Sequence, residues 1–283
     1  MDHPSQRLLG IQPAMYTIHE LASFLEEFAP ARLAADWDNV GLLIGERARS
    51  WSRAMTCLTV TPETVAEALR EKADAIVAHH PFPFKSLKRI TDDTPDGALL
   101  LKLLEAKIAI LSPHTAFDST IDGINERLAG LLGLSDIRPL STAHGETEIG
   151  VGRSGVPAAG VLGELAAKAC RALGISGVQL VGSPGATIKR VGIGCGSAGE
   201  LLSIAKAAGC DCFVTGEARF HTALEAQSLG MTMLLLGHYA SERFALDGLA
   251  ERLAGQFPRA VVWSSRDERD PIAAFPPYTA NHS

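Results

Sequence analysis

Apolar runs of strand length alternate with amphipathic stretches along most of this chain. Residues 17–29 carry apolar side chains at helical spacing and predict a helix that ends at Pro30. The apolar run at 54–60 predicts a strand, and the Thr-Pro pair after it opens a helix over about 62–72. A further strand over 73–80 completes a βαβ unit, in which the two strands pair in parallel.

The same order of elements returns in the second half of the chain. Residues 189–196 predict a strand, and the stretch from Ser197 to Glu200 matches the Ser-x-x-Glu capping box of a helix start. That helix runs to about Ala208, and a strand over 210–217 follows it. The repeated layout predicts an α/β fold of two related lobes with largely parallel sheets.

Changes in composition suggest where the lobes begin and end. Residues 1–15 are expected to be an N-terminal extension, and residues 140–158, which are rich in Gly, Ser and Thr, are expected to join the lobes, with room for a hairpin. We therefore expect a first lobe over 16–140 and a second over 141–265. The polar, Pro-rich residues 266–283 are expected to form an extended C-terminal tail.

Histidines and carboxylates gather where the predicted strands end. Five of the nine histidines follow the apolar runs that end near residues 78, 112, 215 and 236. Because open parallel sheets bind ligands just beyond the carboxyl ends of their strands, these exits predict one site between the lobes. The residues concerned are His79, His80, His114, Asp118, Glu217, His221, His238 and Glu242.

Imidazole and carboxylate groups together are the ligand set of divalent Zn, Mn, Fe, Co or Ni. The adjacent His79 and His80 diverge in extended backbone, so they are better placed to face two neighbouring ions than to chelate one. His238 and Glu242 share one face if a helix begins near His238, and a carboxylate can bridge two cations. The pattern therefore favours a dinuclear site with two divalent transition-metal ions. A lone histidine at a strand end is more often structural, but uncompensated buried imidazoles and carboxylates cost several kcal/mol.

Composition narrows the expected partners and location. The 283 residues are 46% hydrophobic and 20% charged, which is typical of a globular protein with a sizeable core. The formal net charge of −6 without runs of like charge makes nucleic acid and membrane surfaces unexpected partners. No apolar run reaches transmembrane length, and the N-terminus lacks the pattern of a secretory signal. Five cysteines without CxxC spacing are expected to be core thiols of a cytoplasmic protein.

Five motifs occur in the order found in a known family. They are DWDNVGLLIG (36–45), AHHPFPF (78–84), SPHTAFDSTIDGIN (112–125), VTGEARFHTALEA (214–226) and GHYASER (237–243). From about Tyr16 to Ile272 the chain resembles the NGG-interacting-factor-like dinuclear-metal family, whose bacterial members are often called homologues of a type 2 GTP cyclohydrolase I. The resemblance also implies a ring-shaped homohexamer with its metal sites facing an internal cavity.

The resemblance implies a complete set of metal ligands. Glu242 would bridge two ions, with His80 and Asp118 serving one ion and His79 and His238 serving the other. This agrees with the dinuclear site that the strand exits favour.

The resemblance implies further roles for residues that do not bind metal. His114, Glu217 and His221 would line the same cavity as catalytic or proton-transfer groups. Asn39 and Gly41 belong to a motif that we interpret as structural, a turn that needs glycine beside a side chain that caps backbone groups.

Two metals held by nitrogen and oxygen ligands suit hydrolysis of a small molecule such as a nucleotide. The family name makes type 2 GTP cyclohydrolase the candidate activity, in which attack at C8 of guanine opens the imidazole ring and releases formate. A metal-dependent phosphoesterase and a non-catalytic metal-binding or interaction scaffold are the alternatives. The Gly-rich stretch 192–200 opens a helix where phosphate could bind, but tight strand–helix packing is the favoured role because no Gly-Lys-Ser/Thr follows.

Overall fold

The computed structural model of the chain describes residues 16–142, 146–158 and 160–273. The predicted N-terminal extension lies outside the described residues, as does the predicted tail beyond residue 273. The helices are α1 (Ile18–Phe28), α2 (Pro62–Arg70), α3 (Pro95–Glu105), α4 (His114–Ser119), α5 (Ile124–Leu131), α6 (Leu162–Leu173), α7 (Leu202–Ala207), α8 (Phe220–Ser228), α9 (His238–Glu242) and α10 (Phe244–Gln256). Among the described residues, none of the helices has both the length and the apolar composition needed to span a membrane.

The strands form two main sheets and two short ribbons. The strands are β1 (Tyr16–Thr17), β2 (Gly41–Ile44), β3 (Ser50–Trp51), β4 (Arg53–Cys57), β5 (Ala75–Ala78), β6 (Ala109–Ser112), β7 (Leu134–Arg138), β8 (Ser141–Thr142), β9 (Gly150–Val151), β10 (Arg153–Pro157), β11 (Gln179–Val181), β12 (Val191–Gly194), β13 (Cys212–Thr215), β14 (Thr232–Leu235) and β15 (Val261–Ser264). In the ribbons, β1 pairs with β3 and β8 pairs with β9, both antiparallel.

The first sheet has five strands in the order β15-β4-β5-β6-β2. Strands β15, β4, β5 and β6 are parallel, and β2 closes the edge antiparallel to β6. Alternate side chains of the parallel strands enter two different cores, one shared with α1 and α10 and the other with α2 and α3. Coverage on both faces explains why β5 and β6 are continuous apolar runs rather than alternating ones.

The second sheet has six strands in the order β11-β14-β13-β12-β10-β7. Its three central strands, β14, β13 and β12, are parallel, and the strands outside them pair antiparallel. Helices α5 and α6 share a core with one face, and α7 and α8 share a core with the other. The prediction of an α/β fold with parallel-rich sheets is confirmed.

Local sequence fixes the ends of the first helices as predicted, but not the start of α7. Thr17 caps α1 and Thr61 caps α2, each through a side-chain oxygen that accepts a backbone N–H. The predicted capping box from Ser197 to Glu200 is wrong, because the chain enters α7 through a 3₁₀ turn at Gly199–Leu201 without a side-chain cap. The preceding Ala198 N–H donates instead to Thr215 Oγ1 at 3.4 Å, which ties this turn to the end of β13.

Two glycines of β12 allow close packing of strand and helix. A Cβ at Gly192 would lie 2.8 Å from the Cβ of Ala205 in α7, and one at Gly194 would lie 2.6 Å from the Cβ of Ala198. Side chains at these positions would therefore push α7 away from the sheet. This packing is the favoured role of the Gly-rich stretch.

The two sheets are not divided at a single point of the chain. Strand β7 lies in the second sheet although it precedes residue 140, and the chain returns to the first sheet with β15 near its end. The sheets therefore differ from the predicted lobes 16–140 and 141–265 at both boundaries. Sequence spacing alone did not reveal this return, because β15 pairs with β4, about 200 residues earlier.

The segment after β15 is packed against the first sheet over its first residues. Ser265 and Glu268 are buried, and the Glu268 carboxylate accepts the backbone N–H groups of Leu58 and Thr59 at 2.9 and 2.8 Å. The first residues of the segment 266–283, which was predicted to be an extended tail, are thus held against the first sheet.

Glu67 of α2 holds the start of this segment and makes the stability of the fold depend on pH. Its carboxylate accepts bonds from Ser265 Oγ at 2.6 Å and from the backbone N–H groups of Arg266 and Asp267 at about 3.0 Å. Burial by itself raises the pKa of Glu67, but these bonds outweigh it and hold the pKa below the ordinary 4.5. The stabilisation is therefore present above pH 4.5 and is lost as the pH falls through the folded-state pKa.

We predict that Glu67→Gln lowers the free energy of unfolding by about 1–3 kcal/mol at pH 7, because hydrogen bonds to a charged acceptor are lost. The difference from the unsubstituted protein should shrink as the pH is lowered toward 3, which denaturant melts at several pH values would measure. Glu71→Gln is the matched control, since its ion pairs with Arg53 and Arg70 span 3.8 and 3.5 Å at the surface and are worth less than about 1 kcal/mol. An equal loss in both variants, or a Glu67→Gln loss that is independent of pH, contradicts this assignment.

Candidate metal centre

Strand β5 delivers two histidines to the edge of the first sheet. The backbone stays extended, since the N–H of His79 donates to the Cys57 carbonyl and that of His80 to the Leu58 carbonyl, both at 2.9 Å. Neighbouring residues of extended backbone point to opposite sides, so the His79 ring is fully buried while His80 is partly exposed. Ser112 Oγ donates to the His79 carbonyl at 2.6 Å and ties this exit to the end of β6.

Helix α4 begins directly after β6 and carries His114 and Asp118 four residues apart, on one face. The side-chain amide of Asn125 fixes the position of α4, because both its nitrogen and its oxygen form hydrogen bonds. The Nδ2 donates to the Asp118 carbonyl at 3.0 Å, and the Oδ1 accepts the backbone N–H of Cys195 at 2.8 Å. Because Cys195 follows β12, this amide joins the exits of the two sheets.

Helix α9 brings the remaining pair from the second sheet. Gly237, with φ of +89°, turns the chain after β14, and the short helix then places His238 and Glu242 on one face. Gly196 makes room for the carboxylate, because any side chain there would overlap Glu242. Ser241 Oγ accepts the Gly196 N–H at 2.9 Å and holds the loop after β12 against α9.

The Glu242 carboxylate lies between two groups of donor atoms. Its Oε2 is 3.2 Å from His80 Nε2 and 3.1 Å from His238 Nε2, and these two nitrogens are 3.3 Å apart. Its Oε1 is 3.9 Å from His79 Nε2, which in turn is 3.6 Å from Asp118 Oδ1. Donors bound to one ion at about 2.0–2.2 Å in tetrahedral geometry lie about 3.3–3.6 Å apart. The group of His80, His238 and Glu242 therefore has close to the spacing of ligands around one metal ion. In the second group, His79 Nε2 lies near an oxygen of each carboxylate.

These distances group the five residues differently from the family resemblance. The resemblance implies His80 with Asp118 on one ion and His79 with His238 on the other. In the structure, His80 Nε2 lies 3.3 Å from His238 Nε2, and His79 Nε2 lies 3.6 Å from Asp118 Oδ1. The position of Glu242 between the groups is the same in both arrangements.

Buried polar atoms without hydrogen bonds show that a cation fits this donor set. Neither ring nitrogen of His79 has a hydrogen-bond partner, and Glu242 Oε2 lacks a bond of good geometry despite its close neighbours. Such orphaned groups are rare in protein interiors and costly. Burial lowers the pKa of His79 well below its usual range, so the ring is neutral and offers a lone pair, as a metal ligand must.

Glu242 stays ionised although it is buried. Burial raises the pKa of this carboxyl, but the adjacent His238 and His80 outweigh that effect and hold the pKa well below its usual range. The Glu242 carboxylate, with a smaller contribution from Glu217, raises the pKa of His238 to about 9. Without a metal, His238 and Glu242 therefore form an ion pair at neutral pH.

Asp118 is the second carboxyl of the cluster, partly buried with 19% of its side chain exposed, and its pKa moves the other way. Burial, together with the charge of Glu242, raises the pKa of Asp118 to about 7. Cys195 Sγ donates to Asp118 Oδ1 at 3.2 Å, and burial raises the pKa of that thiol well above its usual range. Asp118 and Glu242 are therefore stabilised in their ionised forms together only by nearby positive charge.

The three predicted catalytic residues occupy three different environments. His114 is buried within the cluster, where one ring nitrogen each of His79, His80 and His114 lie within 4.8 Å of one another. Glu217 contacts the cluster from outside, with Oε1 3.0 Å from His238 Nδ1. His221 is exposed, and its nearest aromatic neighbour is Phe220, at 5.9 Å between ring centroids.

The contacts change the interpretation of these residues. Glu217 contacts Nδ1 of the His238 ring and is not among the residues that line the cavity. His221 makes none of the described contacts with the cluster and does not line its cavity. His221 is the second residue of α8 and is exposed, so its closeness to Glu217 in the sequence does not place it in the site.

Sequence reasoning missed the residues that hold the histidines. Asp38 Oδ1 lies 2.7 Å from His114 Nδ1, and Thr59 Oγ1 lies 2.7 Å from His80 Nδ1. Although burial opposes it, the bond with His114 lowers the pKa of Asp38 to about 2, so the carboxylate is ionised. Thr59 stands just beyond β4, so a search of strand exits that included hydroxyl groups could have found it.

Two structural roles were predicted for the DWDNVGLLIG motif, a turn at Gly41 and a backbone cap by Asn39, and the structure agrees with the first only. Gly41 has φ of +99°, as the predicted turn requires. The predicted cap by the Asn39 side chain is wrong, because the Asp38 carboxylate accepts the backbone N–H groups of Asn39 and Thr115, at 2.8 and 3.2 Å.

The cluster opens into a cavity of about 580 Å³ between the carboxyl ends of the two sheets. This volume lies within the range of about 300–1,000 Å³ typical of small-molecule sites. His80, His114, Asp118, His238 and Glu242 all contribute to its wall. The predicted site at the strand ends, between the two sheets, therefore coincides with the cavity.

Comparison with known proteins extends over almost the whole chain. A Clostridium perfringens protein named GTP cyclohydrolase 1 type 2 homolog is 28% identical over 257 residues, covering 90% of this chain and 98% of its own. A Helicobacter pylori protein named GTP cyclohydrolase 1 type 2 is 32% identical over 233 residues, covering 82% and 90%.

A solved structure gives the same result for the fold. The crystal structure of a Bacillus cereus protein related to NIF3 superposes with a TM-score of 0.86 at 21% identity, covering 93% of this chain and 100% of its own. The sequence profile of the family described as Duf34/NIF3 (NGG1p interacting factor 3) matches residues 16–271. The chain therefore belongs to the Duf34/NIF3 family.

Proposed function

We propose that the protein is a metal-dependent hydrolase of a small molecule, with two divalent transition-metal ions held by His79, His80, Asp118, His238 and Glu242. The observation that carries the proposal is the position of Glu242, whose two oxygens face separate groups of donors. A buried carboxylate with one oxygen toward each of two donor groups suits a bridging ligand. The unpartnered nitrogens of His79 support the same conclusion.

A pair of bound divalent ions lowers the pKa of a water molecule and stabilises negative charge that develops on the substrate. The chain supplies orientation around that pair. Thr59 fixes the ring of His80, and Glu217 fixes the ring of His238, each through Nδ1, so that both Nε2 atoms face Glu242.

His114 is the group best placed to move a proton in this site. Its Nδ1 is bonded to the ionised Asp38, which fixes the tautomer with a proton on Nδ1. The Nε2 atom then has a free lone pair, with which it can accept a proton from the attacking water and later deliver it to the leaving group. Buried against His79 and His80, the ring lies beside the proposed reaction centre.

Hydrolytic opening of the imidazole ring of GTP is the specific reaction that we propose to test. It is the activity in the names of the Clostridium perfringens and Helicobacter pylori relatives. In this reaction one water adds at C8 of guanine and opens the imidazole ring to a formamide, and a second water hydrolyses that formamide to formate and a free amine. It requires an activated water and a proton-transfer group, and the proposed ions and His114 supply both.

We predict about two transition-metal ions per chain by elemental analysis of protein loaded with Mn²⁺ or Zn²⁺. Glu242→Ala should bind close to none, because both donor groups lose a ligand, whereas Asp118→Ala should keep about one ion. Asp96→Asn is the control, since Asp96 is an exposed carboxylate on the wall of the same cavity and should leave occupancy unchanged. Full occupancy in Glu242→Ala would exclude a bridging role.

Glu217 and His221 should differ in their effect on metal affinity. We expect Glu217→Ala to weaken binding about 10- to 100-fold, as is typical when the partner of a metal-bound imidazole is removed. His221→Ala should leave the affinity within about twofold, because the structure places it outside the cluster. Both residues are exposed, so neither change should disturb folding. Competition with a chelating dye measures both affinities, and equal effects would contradict the role given to Glu217.

We expect metal-loaded protein to release formate from GTP, and His114→Gln to slow that release about 10²- to 10⁴-fold through loss of proton transfer. Formate can be followed with a coupled dehydrogenase, and the metal content of both proteins should be measured in the same samples. A fully loaded protein that gives no formate from GTP rules out the cyclohydrolase reaction. A phosphoester panel on the same preparation then shows whether the metal centre hydrolyses another substrate.

A further inference from the structure

Two large aromatic side chains stand exposed at the cavity that contains the candidate metal centre. Trp37 is 69% exposed and Phe84 is 60% exposed, and both belong to the cavity wall. Burying rings of this size is normally a large part of what stabilises a fold. Exposed aromatic rings grouped at a concave site are a mark of ligand binding.

Both rings stand steeply to the same imidazole. The Trp37 ring lies 5.8 Å from His114 at 73° between planes, and the Phe84 ring lies 6.2 Å from it at 81°. His114 also contacts His79 and His80, with ring centroids at 5.1 and 5.6 Å. The same imidazole is therefore in contact with both exposed aromatic rings and with two histidines of the candidate metal centre.

Trp37 and Phe84 lie close in the sequence to residues of the candidate metal centre or to residues that contact it. Trp37 directly precedes Asp38, whose carboxylate is bonded to His114 and Thr115. Phe84 lies four residues after His80, in the Pro-Phe-Pro-Phe segment that ends β5. Trp37 and Phe84 are thus each within four residues of a side chain that belongs to the cluster or contacts it. This short connection limits how far either ring can move from the cluster.

The charge of the cavity wall does not favour a polyanion. Asp96, Asp118, Glu200 and Glu242 contribute carboxyl groups to the wall. Among the described residues that line it there is no lysine and no arginine. Apolar side chains such as Val60 supply much of the remaining surface. Asp118 and Glu242 are proposed metal ligands, which leaves Asp96 and Glu200 as the uncompensated carboxylates. A triphosphate that extends away from the proposed ions would face these two groups without the guanidinium or ammonium groups that usually bind phosphate.

We propose that Trp37 and Phe84 form a stacking slot for a planar heteroaromatic ring of the substrate, with His114 at its inner end. The slot recognises a ring of purine size and not the phosphate groups of a nucleotide. This inference rests on the proposed function, in which the ring is the part of the substrate that reacts. It defines the substrate class as a heteroaromatic base or nucleoside, with phosphate groups contributing little to binding.

Trp37 also provides a direct reporter of binding. Of the three tryptophans, Trp51 and Trp263 are buried and donate to Thr17 and Glu67, respectively. Only Trp37 can be reached by a ligand in the cavity. Stacking of a base on it should quench the fluorescence of the folded protein, and no turnover is needed for the signal.

We therefore expect guanosine and GTP to quench Trp37 with dissociation constants within about threefold of each other, and tripolyphosphate and ribose to cause no quenching. The titration is done on the full chain, both metal-loaded and after chelation. Phe84→Leu should weaken guanosine binding about 5- to 100-fold, the range found when one stacking aromatic is removed. Trp37→Phe should abolish quenching yet still bind guanosine in calorimetry.

Phe220→Leu is the matched control. Phe220 is 73% exposed and contacts a histidine, as Phe84 does, but it lies outside the cavity, so its substitution should leave guanosine binding unchanged. The proposal is overturned if GTP binds more than tenfold tighter than guanosine, if tripolyphosphate competes with GTP, or if Phe84→Leu behaves like Phe220→Leu.

The experiments can reject the stacking slot and the cyclohydrolase reaction independently of each other. Guanosine that binds in the slot without formate release from any nucleotide supports the slot and rejects the cyclohydrolase reaction. Formate release from GTP at the same rate and KM in Phe84→Leu supports the reaction and rejects the slot. A change in oligomeric mass on substitution of Trp37 or Phe84, without a change in guanosine binding, would assign these rings to an interface between copies and also rejects the slot.

Discussion

The structure depends most on one buried charge, the carboxylate of Glu242. It is almost fully enclosed, and it is surrounded by three imidazoles that come from the two sheets. A buried ion is tolerated only when other groups compensate it, so His79, His80 and His238 must be held around it. The end of β5 and helix α9, which carry these histidines, must therefore keep their positions relative to Glu242. The orientation of the two sheets relative to each other is thereby coupled to the electrostatics of one side chain.

Uncharged hydrogen bonds between the loops hold the three histidines around Glu242. Asn125 spans from the Asp118 carbonyl to the Cys195 N–H, and Ser241 receives the Gly196 N–H. These groups join the loops after β6, β12 and β14 without contributing charge. Gly196 leaves the space that the carboxylate occupies. The site is therefore a junction between two sheets, and substitutions in its polar supports should disturb the packing of the sheets as well as the donor geometry.

Hydrophobic periodicity and capping residues predicted most of the fold and many residues of the candidate site. Apolar runs such as AIVA before His79 identify strands covered on both faces, and ligands of parallel sheets collect where such strands end. The pairing of β15 with β4, the contact of Asp38 with His114 and the exclusion of His221 could not be predicted in this way. Each depends on which distant segments meet, and neither hydrophobic period nor capping chemistry encodes that. The buried Cys195 was expected to be a core thiol, and only the fold shows its contact with Asp118.

The return of the chain to the first sheet has a consequence for the order of events during synthesis. All five proposed ligands lie between residues 79 and 242, but β15 and Glu268 follow them. Glu268 holds the backbone of Leu58 and Thr59, and Thr59 holds the ring of His80. A chain still on the ribosome therefore presents its histidines and carboxylates before it can fix their geometry. The final geometry of the candidate centre therefore requires residues 261–268, which the ribosome adds after all five proposed ligands.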